Sequence, residues 1–294
     1  METEKKEKSL IARIMLCIMT VIASIAALII GGSVLGEALL SPMLNSSDST
    51  LVFLGNYASF IGIWIVFLLI SLIGKDNRKE IAALKFKKER VKTSLVLGLC
   101  CGLCLNLFVG IVAAIHGDIQ LSFNTIDIPM ILLFLVCVAI QSGAEELAMR
   151  WFVFRHLRRY FPNIPAIAII VNSMLFAALH LMNPGITIFS LLSVGLSGLV
   201  FSLIVYYFDS FWGAVIAHTG WNYCQSILLG LPNSGVVSEY SVFKLDAANA
   251  RDSFAYSASF GIEGSLLTVI LLTLTCAVLI YLGRKKARRF NRIA

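Results

Sequence analysis

Three short motifs place acid, base and amide side chains inside apolar stretches: Glu145-Glu146-x-x-x-Arg150, Phe176-x-x-x-His180 and His218-x-x-x-Asn222. A carboxylate, two imidazoles and a carboxamide are groups that activate water and donate hydrogen bonds to a developing negative charge. Ionisable groups at hydrocarbon depth are costly and by default mark a functional site. Glu145 and Glu146 are neighbours, so on a helix they point about 100° apart and make a poor shared-proton dyad. Glu146 and Arg150 are four apart on one face, in the order that favours an ion pair. That pairing leaves Glu145 for a cavity. Burial disfavours an ionised carboxyl and would suit Glu145 to act as general base on water. The plainer alternative is an acidic pair that merely balances the basic end of its helix. A lone membrane histidine is commonly a packing residue. Two histidines, an asparagine and a glutamate on three apolar segments are harder to explain that way.

The elements that must position these residues are membrane helices. The chain of 294 residues is 58% hydrophobic and 14% charged, outside the composition of soluble globular domains. Its apolar runs reach the ~18 or more residues that a helix needs to cross about 30 Å of hydrocarbon. We read about eight spans: 14–35, 51–74, 94–115, 128–154, 164–181, 186–208, 212–229 and 265–282. The first follows a basic region but is too long for a secretory leader and lacks a small-residue cleavage site, so it reads as a signal-anchor helix. The expected fold is an all-α polytopic transmembrane bundle in the cell membrane. It forms one integral membrane domain over 1–294, with a motif-bearing catalytic core at 128–229.

The formal charge of +7 is topological. Of 24 Lys and Arg, all but Lys244 and Arg251 fall in four clusters, at 5–13, 75–92, 150–159 and 284–292. Alternating the spans puts every cluster on one face, the cytoplasmic one, together with both termini. Membrane lipids, not nucleic acid, are the partners this distribution implies. Residues 75–92 read either as a basic amphipathic helix, with Ile81, Leu84 and Phe86 touching lipid, or as a solvated orienting loop. All seven cysteines lie in apolar runs. Cys101 and Cys104 form a C-x-x-C without further ligands, and small buried hydrophobes are the better reading.

Depth tests whether the motifs can meet. At the helical rise, Glu145 stands about 21 Å from Arg159 and His180 about 24 Å from Ile164. His218 and Asn222 stand about 13 and 20 Å from Asp209. All are distances from the same membrane face, and the four groups fall in one layer.

In this order along the chain, the motifs resemble those of the CPBP intramembrane proteases. That family includes type II CAAX prenyl endopeptidases and bacterial Abi proteins linked to bacteriocin processing and self-immunity. The resemblance covers roughly 128–229. It implies an intramembrane endopeptidase acting on a membrane-associated peptide or protein. Glu145 and His180 would activate water, and His218 and Asn222 would stabilise the oxyanion, with Glu146, Arg150 and Phe176 in support. A second implication makes Glu145, His180, His218 and Asn222 ligands of zinc, the metal polarising the water. There is no H-E-x-x-H and no thiolate in the motifs, so the residues themselves assign no cofactor, and the metal-independent glutamate route is preferred. Nothing in the sequence reads out a prenyl group.

Three other classes fit parts of the same pattern. Gly195-Leu196-Ser197-Gly198 fits the GxSG of rhomboid serine proteases, with His218 as base, but equally a seam of small residues for close helix packing. An ion-coupled transporter would use the same carboxylate and histidines, yet no inverted repeat is evident. A non-proteolytic immunity or scaffold protein would keep the fold without needing the complete motif set.

Overall fold

A chain in hydrocarbon must satisfy its own backbone hydrogen bonds, and helices do so within a segment. The computed structural model is helical in this way, and it describes residues 2–73, 78 and 81–293. Among the described residues, six helices are long and apolar enough to cross a membrane: α1 (Leu10–Leu44), α2 (Ser49–Leu72), α3 (Lys88–His116), α4 (Ile128–Tyr160), α6 (Ile188–Phe208) and α8 (Leu266–Lys286). Between them lie α5 (Pro165–Leu179) and α7 (Phe211–Tyr223). These two are the segments expected at 164–181 and 212–229, and both are shorter than a full span. Pro165 starts α5 at the first helical position, where its missing N–H costs nothing. Its helix stops at Leu179, shortly before the Asn183-Pro184-Gly185 turn. His180 is thus the capping residue at the helix end rather than a mid-helix one.

α7 is the central helix. Every residue from Ala217 to Tyr223 is buried, and it packs against α3, α4 and α6. Being enclosed by protein, it can carry His218, Thr219 and Asn222 without exposing them to lipid. Ser210 caps its start by accepting from the Gly213 N–H, and a hydroxyl pair with Ser94 at 2.6 Å anchors that cap to α3. Farther along, a Cβ at Gly102 would overlap the Ala217 carbonyl, so α3 lies directly against the turn that carries His218. α1 and α2 cross as closely, with Gly62 against the Gly31 carbonyl.

Outward faces are apolar: Leu132, Val136, Met174, Leu192 and Leu274 are all at least half exposed. Outside the helices, Leu121–Phe123 pairs antiparallel with Phe243–Leu245, Ser122 opposite Lys244. This ribbon ties the α3–α4 connection to the long segment between α7 and α8. Within the basic stretch at 75–92, residues 75–77, 79 and 80 lie outside the described ones. Of the rest, Ile81 and Leu84, read either as lipid-facing or as part of a solvated loop, sit in a single 3₁₀ turn, Ile81–Leu84, and are partly buried against the core, where Trp212 Nε1 donates to the Leu84 carbonyl at 2.8 Å. Phe86 remains exposed.

Candidate active site

Two helices carry wide turns beside the motifs. In α4, residues Leu147–Val153 form a π-helical stretch directly after Glu146; α7 continues into another at Cys224–Leu228. Such turns loosen the backbone hydrogen-bond ladder and are frequent at functional sites. In α4 the side chain of buried Asn172 donates to the Met149 carbonyl at 2.8 Å, and Ser202 donates to Asn172 Oδ1 at 3.1 Å. α4, α5 and α6 are thereby locked together at the level of Arg150.

Arg150 and Glu146 are both fully buried and joined at 2.9 Å. The second guanidinium arm donates to the Gly198 carbonyl at 3.1 Å, and the guanidinium lies over the rings of Phe176 (4.4 Å) and Phe201 (5.1 Å). Gly198 is small for this purpose: a Cβ there would come to 3.2 Å from Phe176 and 3.3 Å from Arg150. Ser197 lines the cavity described below, but among the described residues it makes no hydrogen bond to a histidine. The Gly195–Gly198 stretch therefore serves packing around the ion pair, as the small-residue reading expects.

Glu146 also receives His218, whose Nδ1 stands 3.0 Å from the same carboxylate oxygen. A carboxylate accepts, so Nδ1 carries the proton and Nε2 is left to face Glu145 Oε2 at 3.8 Å. His180 is fixed similarly. Its Nδ1 lies 2.8 Å from the Phe176 carbonyl, which can only accept, so Nε2 is its free nitrogen. Phe176 packs against both imidazoles, with ring centroids 4.8 Å from His180 and 5.8 Å from His218.

Glu145, His180, His218 and Asn222 all line one cavity of about 970 Å³, whereas Glu146 and Arg150 stand behind it. The opposite wall comes from α1 and α2 and is mixed: an apolar part that includes Leu28, Ile29, Phe53, Phe60 and Ile63, with Glu37, Asn56, Tyr57 and Ser59 beside it. Among the described residues, no three His, Cys, Asp or Glu side chains are grouped so that they could hold a metal ion.

Three polar residues of the site went unread in the sequence: Gln141, Asn172 and Glu263. Gln141 and Asn172 lie four positions before Glu145 and Phe176, on the motif faces, and that spacing was the available signal. Glu263 comes from the segment before α8. It is 8% exposed and lines the same cavity, accepting from Trp221 Nε1 at 2.9 Å and the Ser234 N–H at 2.8 Å. Burial pushes its carboxyl up, against the Ser234 donors, the nearby His180 and Trp221, which pull it down. An acid whose folded value is raised binds its proton more tightly when folded. Stability is therefore greatest at low pH and falls as pH rises from the ordinary value of 4.5 through the raised one. Glu263→Gln is expected to flatten that slope, read as melting temperature against pH in lipid nanodiscs; an unchanged slope would contradict the assignment.

Residues 126–224 match the family model described as Type II CAAX prenyl endopeptidase Rce1-like. The match covers about a third of the chain and contains all seven motif residues, Glu145, Glu146, Arg150, Phe176, His180, His218 and Asn222. The motif-bearing part of this helical bundle is thus similar to a CAAX-processing peptidase family. No curated protein and no solved structure matches the chain.

Proposed function

We propose that this chain is an intramembrane endopeptidase that hydrolyses a membrane-associated peptide with a water activated by Glu145 and His180, without a metal. The observation that carries the reading is the meeting of Glu145, His180, His218 and Asn222 in one cavity whose far wall is partly apolar. The family match over the same residues supports it. The eight helices are read as eight crossings, with both termini and the basic clusters on the cytoplasmic side.

In the proposed reaction, water held between Glu145 and His180 Nε2 loses a proton to Glu145 as its oxygen bonds to the peptide carbonyl carbon. The carbonyl oxygen becomes an oxyanion. Asn222 Nδ2 donates to it, and His218, which Glu146 holds at Nδ1, faces it with Nε2. The C–N bond breaks as the proton passes to the leaving amine, giving a new carboxylate and a new amine. Glu146 and Arg150 hold His218 and the helix around it. The apolar part of the far wall accommodates a lipid-anchored or apolar substrate segment.

The test is direct. Purified full-length protein in lipid nanodiscs is mixed with a quenched fluorescent peptide ending in Cys-aliphatic-aliphatic-X, either farnesylated or unmodified. Cleavage is expected, faster for the membrane-anchored form, and it should persist in 1,10-phenanthroline. No cleavage of either peptide would overturn the peptidase reading; loss on chelation would overturn its metal independence.

A further inference from the structure

Gln141 lies on the cavity wall between the two halves of the proposed machinery. Its Nε2 donates to Glu145 Oε1, one helical turn farther along α4. Its Oε1 accepts from Asn222 Nδ2 on α7 at 3.1 Å and from Ser142 Oγ at 3.2 Å. The directions of these bonds are fixed by chemistry. An ionised carboxylate can only accept, so the Gln141 amide must present its nitrogen to Glu145. Its oxygen is then the end left for α7, and Asn222 must present nitrogen to it. One amide sets the orientation of the next.

From this we infer that Gln141 is a positioning residue for the proposed hydrolysis, one that aims the Glu145 base and the Asn222 oxyanion donor together. The inference rests on the peptidase reading above. Occupying Glu145 Oε1 leaves Oε2, the oxygen facing His218, as the one open to water. Holding one Asn222 N–H points the amide nitrogen, rather than its oxygen, toward the cavity side of α4. The relay runs Asn222 to Gln141 to Glu145, so a substitution in the middle disturbs both ends. Among the described residues no other side chain bridges the pair: Ser142 reaches Asn222 only at 3.5 Å. The charged and titratable groups facing the same cavity are Glu145, His180, His218, Glu37 and Tyr57 from α1 and α2, and Glu263, with the Glu146–Arg150 pair behind His218.

Two variants test this in the nanodisc assay with the farnesylated peptide. Gln141→Met keeps the length and removes both hydrogen bonds. We expect kcat to fall roughly 100-fold, the cost of about 1 Å of misplacement at a reacting group, with KM within about twofold because the cavity walls are intact. Combined with Asn222→Ala, the loss should be smaller than the product of the two single losses, since both act through one contact. Gln141→Glu keeps an acceptor for Asn222 but repels Glu145 when ionised. Protonated, it again donates to Glu145 and accepts from Asn222, so its activity relative to wild type should rise as pH falls. A residue that only fills space would show neither the kcat-only loss nor this recovery. If Gln141→Met does not fold, the pH course of Gln141→Glu decides. Wild-type kcat in Gln141→Met, fully multiplicative losses, or a flat relative pH course in Gln141→Glu would overturn the proposal while leaving the peptidase reading intact. An inactive wild type would overturn both.

Discussion

Arg150→Met should cost about 3–5 kcal/mol of stability, the usual penalty for stripping the partner from a buried charge. Arg150 and Glu146 are both 0% exposed, and among the described residues the bonded Glu146 oxygen otherwise meets only His218 Nδ1. The pair is also imperfectly satisfied: Glu146 Oε2 and Arg150 Nε have no hydrogen-bond partner among the described residues. Its desolvation is thus offset by one short contact, the Gly198 carbonyl, and the faces of Phe176 and Phe201. Two further variants separate charge from shape. Arg150→Lys keeps the charge but loses the planar fork and the stacking on Phe176, so it should recover only part of the loss. Glu146→Gln combined with Arg150→Met removes both charges while leaving His218 an acceptor, and it should regain most of it. Thermal unfolding of the four proteins in nanodiscs reads this order. A double variant as unstable as Arg150→Met alone would contradict the buried-charge explanation.

Glu145→Gln should leave the fold in place and remove activity, a loss of about 10²–10⁴-fold in kcat if Glu145 is the general base. The substitution is nearly isosteric, and the glutamine oxygen can still accept from Gln141. Glu145 is 19% exposed on a cavity wall, not enclosed in the core, so its charge is not needed for packing. Melting temperature should therefore stay near that of wild type. This is the opposite signature to Arg150→Met, where stability falls first and activity follows. Adjacent residues thus divide between chemistry and support, because α4 turns Glu145 toward the cavity and Glu146 toward Arg150 and His218.

Much of this was legible because charge in an apolar run stands out. The Glu146–Arg150 pair is visible in its four-residue spacing. Six of the eight expected spans recur as helices of crossing length. Less legible were features that hydrophobicity does not mark. The enclosure of α7 was one: it is a helix of 13 residues extended by a wide turn and surrounded by protein, and hydropathy does not distinguish core from lipid-facing apolar residues. The π-helical stretch around Arg150 leaves no periodic signature over seven residues. Gln141 and Asn172 are uncharged, so they did not stand out among serines and alanines. Glu263 reaches the site only because the long segment between α7 and α8 folds back over the cavity, a nonlocal contact that no local pattern encodes. Ile81 and Leu84 show the same ambiguity: amphipathicity identifies an apolar face but not whether lipid or protein covers it.

The most direct test of the central claim compares wild type, Glu145→Gln and Ser197→Ala in one assay, as initial rates of cleavage of the farnesylated peptide in nanodiscs. Glutamate-activated water predicts that Ser197→Ala cleaves at close to the wild-type rate while Glu145→Gln is silent at unchanged melting temperature. Cleavage retained by Glu145→Gln and lost in Ser197→Ala would contradict it and move the chemistry to a serine nucleophile.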